Sequence, residues 1–189
     1  MGAFAWHDWL LQDSWSACYW GIGEATLFFI VPDIYLTFLA VQGAPVAWVG
    51  CVAAVAGALV GGAIMYRWGA RDAVGAQAVL KRLPAIDDVE VARVHQRVES
   101  SGFGSIFLGP LFGTPYKIYA VEAGSRGMSF AAFLLVTVPA RGVRFAAATS
   151  IALWLVGGPL VEWTGGSQMT LAAAFWIVLY SVYFRVKGF

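Results

Sequence analysis

The stretch PVAWVGCVAAVAGALVGGAIMY, residues 45–66, holds 22 consecutive positions without an Asp, Glu, Lys or Arg. As a helix rising 1.5 Å per residue it would reach about 33 Å, enough to cross the hydrocarbon layer of a bilayer. It reads as a spanning helix. Gly57 and Gly61 form a Gly-x-x-x-Gly pair among Ala53, Ala54, Ala56, Ala58, Gly62 and Ala63, a surface that lets another helix backbone come close. A second uncharged run, Trp163 to Phe184, lies between Glu162 and the pair Arg185 and Lys187. It reads as a C-terminal spanning helix, residues 163–184.

Composition outside these runs points to the same medium. The 189 residues are 60% hydrophobic, 15% aromatic and 12% charged, about half the charged share of an ordinary soluble domain. A formal net charge of +1 leaves no basic surface large enough for nucleic acid as the main partner. Cys18 and Cys51 stand far apart in apolar surroundings and fit neither a metal knuckle nor a disulfide framework, so both read as packing residues. Residues 1–20 carry Trp6, Trp9, Trp15, Tyr19 and Trp20 with Asp8 and Asp13 but no Lys or Arg. The basic start of a secretory signal is missing, and the aromatic content predicts an interfacial helix.

Between Arg67 and Glu99 the composition changes to six basic and five acidic residues with Pro84. Residues 67–99 read as a water-facing connector. Asp87 with Glu90 three positions on is a capping pattern. Val91, Val94 and Val98 share one helical face, predicting an amphipathic helix on the membrane surface with His95 exposed. Lys and Arg concentrate in this connector and at the C-terminus, with none before Arg67 and none from Gly157 to Gly166. Both regions are therefore expected on the cytoplasmic side. Residues 128–157 and 163–184 supply the two crossings needed between them, which leaves residues 100–126 without one. That stretch is broken by Gly102, Gly104, Gly109, Pro110, Gly113 and Pro115, as suits a hairpin that enters the membrane and returns. Residues 21–42, broken around Pro32, read as the matching hairpin from the outer face.

Shifting the chain by 84 positions pairs Leu27 with Leu111, Phe28 with Phe112, Ile34 with Ile118, Tyr35 with Tyr119 and Gly43 with Gly127. Ala47, Val52 and Ala56 then meet Ala131, Val136 and Ala140. Each copy, 21–66 and 100–157, reads as a hairpin plus a spanning helix, and the topology sets them upside down to one another. Inverted repeats of broken helices are a transporter arrangement with the site between them. Asp33 of the first copy aligns with Lys117 of the second, so the hairpin tips would offer opposite charges to one cavity.

Glu24, Asp33, Lys117, Glu122, Arg141 and Arg144 fall inside apolar segments, where an ionised side chain costs at least about 2.5 kcal/mol. They need partners or a watery cavity. Arg141 and Arg144 share a helical face just after Pro139, which removes a backbone N–H and should kink the helix. With Lys117 they suit a phosphate or carboxylate, since guanidinium offers forked donors to an oxyanion. Glu24 and Asp33 could carry a proton or cation, because burial disfavours an ionised carboxylate. The competing reading is structural: the arginines neutralise Glu24 and Asp33 in a salt-bridge lattice, or Arg144 snorkels to the headgroups. Glu122 and Arg126, four apart, read as a helix-surface pair, and Arg67, Arg71 and Asp72 as boundary charges.

Glu24 through Pro32 and Asp33, then Gly57-Ala58-Leu59-Val60-Gly61 leading to Tyr66-Arg67-Trp68-Gly69, resembles the first half of the DedA/VTT superfamily of membrane proteins. Pro110, Pro115-Tyr116-Lys117, Ala123-Gly124, Gly127-Met128, Phe130, Phe133 and Arg141-Gly142-Val143-Arg144-Phe145 resemble the second half, in its short YqaA-type branch. The likeness covers roughly residues 22–155. It implies two re-entrant hairpins facing each other in a multi-pass protein of the bacterial cytoplasmic membrane. It also implies transbilayer movement of phospholipid or a polyprenyl phosphate such as undecaprenyl phosphate, with proton coupling left open. By position Glu24 and Asp33 would be the hairpin acidic pair, and Arg141 and Arg144 the basic helix face. The family often has Glu where Asp33 stands, and an Arg before the second hairpin's prolines where this chain has Gly109.

The expectation is an all-α polytopic membrane protein with two inverted repeats. Its site joins substrate-binding Arg141, Arg144 and Lys117 to proton- or ion-coupling Glu24 and Asp33. Membrane lipids and a lipid phosphate are the expected partners, without cofactor, metal or nucleic acid, and a homo-oligomer is left open. The alternatives are an ion-coupled transporter of a small anion and a structural or assembly membrane protein. An enzyme is disfavoured, because His7 and His95 lie outside the membrane site and no nucleophile–base pairing is visible.

Overall fold

The computed structural model describes residues 4–84, 86–157 and 168–187, and all regular structure among them is helical. The helices are α1 (Phe4–Ala25), α2 (Asp33–Gln42), α3 (Ala44–Arg71), α4 (Ala73–Leu80), α5 (Asp88–Ser101), α6 (Phe103–Leu111), α7 (Tyr116–Ser125), α8 (Phe130–Gly157) and α9 (Gln168–Lys187). Two of them, α3 and α8, are each 28 residues long and apolar enough to cross a membrane, about 42 Å at helical rise. Of the expected third span, 163–184, residues 163–167 lie outside the described residues, and the rest falls on the single helix α9.

Small residues decide what lies on α3. A Cβ on Gly57 would collide with the Cys18 carbonyl, one on Gly21 with the Ala54 carbonyl, and one on Gly61 with Ile22 and Ala25. The pairs advance together, so α1 runs parallel to α3 with backbones in contact, as Gly-x-x-x-Gly surfaces permit. The interfacial helix expected over residues 1–20 falls on α1, which continues unbroken to Ala25 and packs on α3 through Cys18, Gly21, Ile22 and Ala25. The Trp20 ring is claimed by the protein: its Nε1 donates to the Ile30 carbonyl at 3.1 Å and the ring stacks on Tyr35.

Gly43, at φ 129°, turns α2 back into α3, a conformation that only glycine adopts without strain. Leu36 and Leu39 of α2 then sit over Gly50. The second half repeats the construction. Gly127, at φ 62°, joins α7 to α8 as Gly43 joins α2 to α3. Helix α7 runs beside the later part of α3, with Tyr116 at Gly62 and Gly124 against the Tyr66 carbonyl. Phe130 and Phe133 open α8 against Tyr66, ring centroids 5.1 and 5.2 Å away. Farther along, Arg141 reaches Glu24 near Gly61, so α8 descends as α3 rises. Pro139 stands inside α8 without ending it.

The Asp87 cap forms as expected, its Oδ1 accepting from the Glu90 N–H at 2.7 Å. Val91, Val94 and Val98 are buried on α5, but against α6 and α7. The face assigned to the membrane surface is a protein–protein contact. Its neighbour Glu122 is 3% exposed, which corrects the surface-pair reading: it accepts from Arg126 Nε at 2.5 Å and meets His95 Nδ1 at 2.8 Å.

Candidate functional site

Two helix breaks build the site. After Ala25 the chain leaves helix until Asp33, and after Leu111 it leaves helix until Tyr116. Each gap frees backbone groups that an apolar medium cannot satisfy, and the fold supplies partners. The Phe28 N–H donates to the Gly23 carbonyl at 2.8 Å and the Thr114 N–H to the Gly109 carbonyl at 3.2 Å. The Val31 N–H donates to the Tyr180 hydroxyl of α9 at 3.0 Å.

The breaks touch through cations. Lys117, in the first turn of α7, donates from Nζ to the Phe28 carbonyl at 2.6 Å, joining the second break to the first. Arg144 donates from Nη2 to Asp33 Oδ2 at 2.9 Å and from Nη1 to the Pro110 carbonyl at 3.3 Å. Asp33 opens α2 directly after the first break and Pro110 lies in the last turn of α6 before the second, so one guanidinium joins their flanks. Lys117 forms no ion pair with a carboxylate among the described residues.

Arg141 is fully buried and paired with Glu24, whose side chain is 7% exposed. Its guanidinium lies 4.6 Å from the Phe145 ring centroid and 5.2 Å from that of Tyr116. A cation enclosed by two aromatic faces gains electrostatically from both. Tyr116 is fixed in turn by a 2.9 Å hydrogen bond between its hydroxyl and Thr137 Oγ1.

A cavity of about 360 Å³ lies between the breaks. Glu24, Asp33, Lys117 and Arg144 line its charged part; Phe29, Val31, Leu83, Pro84, Ile86, Trp176 and Leu179 make much of its apolar wall. Four of the five expected site residues thus share one space. Arg141 stands behind it, touching Glu24 rather than the cavity. Comparison with protein-family models, with curated proteins and with solved structures gives no match. The reading of the site therefore rests on its own chemistry.

The cavity wall carries Lys117 and Arg144 against Glu24 and Asp33, two against two, with Arg144 paired to Asp33 and Glu24 to Arg141 behind the wall. Lys117, without a carboxylate contact among the described residues, is the group that can take an anion. Sequence reasoning missed the contributions of α9. Trp176 and Tyr180 lie four apart, hence on one helical face. Trp176 Nε1 donates to Thr37 Oγ1 at 3.3 Å while Tyr180 holds the first break. That spacing of two polar-tipped aromatics was the available signal.

Proposed function

We propose that this protein is a membrane transporter that moves a lipid phosphate across the bilayer, its charged head passing between the two helix breaks while its tail stays in lipid. The observation that carries this reading is the cavity, bordered by both breaks, where Lys117 holds a backbone carbonyl instead of a carboxylate. A phosphate oxygen is a stronger partner for an ammonium than a peptide carbonyl. The rim supports a lipid over a small free anion. Phe29 and Leu179 border the cavity and are 39% and 42% exposed, an apolar border suited to a lipid chain.

The wider architecture fits. Val52, Val60 and Ile64 of α3 and Leu135, Val143, Ile151 and Trp154 of α8 are exposed, as suits helices bathed in lipid. The two halves have matching parts: a break, a ten-residue helix, a glycine turn and a 28-residue helix. Because α2 runs against α3 and α7 runs with it, we read the halves as inverted repeats and the breaks as tips of re-entrant hairpins, level with the middle of α3. The resemblance to the DedA/VTT superfamily belongs to the same proposal, as does residence in a bacterial inner membrane. Coupling to protons or ions, through Glu24 and Asp33, belongs to the proposal too.

A second reading has its own support. The pairs Arg141–Glu24 and Arg144–Asp33 are what a purely structural lattice requires. One experiment separates the two. The protein is reconstituted in liposomes with a labelled polyprenyl phosphate or phospholipid, and the label's accessibility on each face is followed. Transport predicts acceleration over empty vesicles, lost in a folded Lys117→Met variant. No acceleration, or full acceleration in that variant, returns the site to a structural role.

A further inference from the structure

Helix α9 walls the cavity without joining the core. Trp176, Leu179 and Tyr180 line the space, yet no residue from Gln168 to Val182 is fully buried, whereas each of the other eight described helices buries at least one. Its principal helix neighbour is α2. Two hydrogen bonds fasten it to α2 and to the break before it: Trp176 Nε1 donates to Thr37 Oγ1, and the Val31 N–H donates to the Tyr180 hydroxyl. Helices α1 and α7, by contrast, meet α3 backbone against backbone at Gly57 and Gly69. Elements with little buried contact separate most easily, and in lipid the parting of apolar faces carries no hydrophobic penalty. Phe175, Ile177, Val178 and Val182 of α9 are exposed already.

Resting on the lipid-phosphate reading, we propose that α9 is a lateral door. The head group enters and leaves the cavity between α9 and α2, and Trp176 and Tyr180 form the latch. Opening breaks the bond from Val31 to Tyr180 and frees a backbone N–H at the cavity wall. A phosphate oxygen accepts that N–H in a charge-assisted bond, where the tyrosine hydroxyl made a neutral one. The substrate therefore favours the open form, as does any ligand that binds one conformation better than another. The charged wall stays in place. Lys117 of α7 rests on the Phe28 carbonyl, and Arg144 of α8 on Asp33 and the Pro110 carbonyl, without help from α9.

The test uses the full chain with Cys18→Ala and Cys51→Ala in phosphatidylcholine nanodiscs. Spin labels at Val178→Cys on α9 and Val52→Cys on α3 follow the door, and labels at Trp15→Cys on α1 and Val52→Cys follow the fixed body; all three positions are exposed. Pulsed electron–electron resonance reads the distances. The door pair should give two distances and the fixed pair one. Trp176→Phe together with Tyr180→Phe keeps both rings and removes both hydrogen bonds, and should raise the ratio of the longer to the shorter door distance about tenfold. A single door distance that this double variant leaves unchanged overturns the door, as does a fixed pair that spreads with it. A dipolar signal from Val178→Cys alone places a second copy against α9 and likewise overturns it. Thr37→Cys and Trp176→Cys are then joined by a reducible bismaleimide in liposomes carrying a labelled phospholipid. Transport should stop on linking and return on reduction, while each single-cysteine variant given the same reagent keeps it. Full transport by the linked protein overturns the door and leaves the lipid-phosphate reading standing. No transport before linking, in a protein whose labels show both distances, removes the lipid-phosphate reading and with it the door's substrate, while the moving wall stands.

Discussion

At the scale of single residues, Arg141 and Lys117 show how similar charges acquire different duties. Arg141 is enclosed by Glu24, Tyr116 and Phe145, so its energy is spent on holding the first break. Arg141→Ala should leave the Glu24 carboxylate buried and unpaired, a loss of about 3–5 kcal/mol. Unfolding of the purified protein by denaturant in micelles measures it. Adding Glu24→Gln to the same chain should recover much of that loss, because the stranded charge is gone. A double variant as unstable as the single one would mean that the aromatic enclosure of the cation, rather than the ion pair, supplies the stability. Glu24, Asp33, Lys117 and Arg144 were legible in sequence as a site because charge within apolar runs demands company. Which cation joins which acid was not, since helices that slide by one turn would exchange the partners.

At the scale of elements, close backbone contact sets the helix heights. Gly57→Ala places a methyl group against the Cys18 carbonyl, an atom that cannot swing aside. The α1–α3 pair must then separate, at a cost of about 1–3 kcal/mol. Gly142, on α8, has nothing within 4 Å of an added Cβ. Gly142→Ala should be neutral or stabilising by up to about 1 kcal/mol through helix propensity. Thermal melts of both variants in one detergent check the contrast, and equal melting temperatures would count against the contact. The Gly-x-x-x-Gly pair foretold a tight neighbour without naming α1. Aromatic content by itself did not show that the Trp20 ring N–H answers the Ile30 carbonyl. An indole needs one acceptor, and a broken helix offers one as readily as a headgroup does. The valine face of α5 was read correctly as apolar, but periodicity cannot tell lipid from protein.

At the scale of the whole molecule, α3 and α8 run in opposite senses, so Gln42 and Gly157 belong to one end of the bundle and Arg71 and Arg126 to the other. If both helices cross the membrane, the ends face opposite compartments. On a background with Cys18 and Cys51 changed to alanine, a membrane-impermeant thiol reagent added to intact cells should label Gln42→Cys. It should reach Arg71→Cys only after permeabilisation; both side chains are exposed. Labelling of both positions from outside would contradict the two crossings and the inverted arrangement built on them.

Composition alone determined the helical class and a helix long and apolar enough to cross a membrane, since a 22-residue uncharged run can satisfy its backbone in oil only by coiling on itself. It also marked the charges that had to meet, because burying each one alone is too costly. Only the tertiary structure decided that Arg141 stands behind the cavity, that Lys117 rests on a carbonyl, and that α9 closes one wall. Those outcomes depend on distances between helices, which packing of side chains and glycines sets and which no local pattern records.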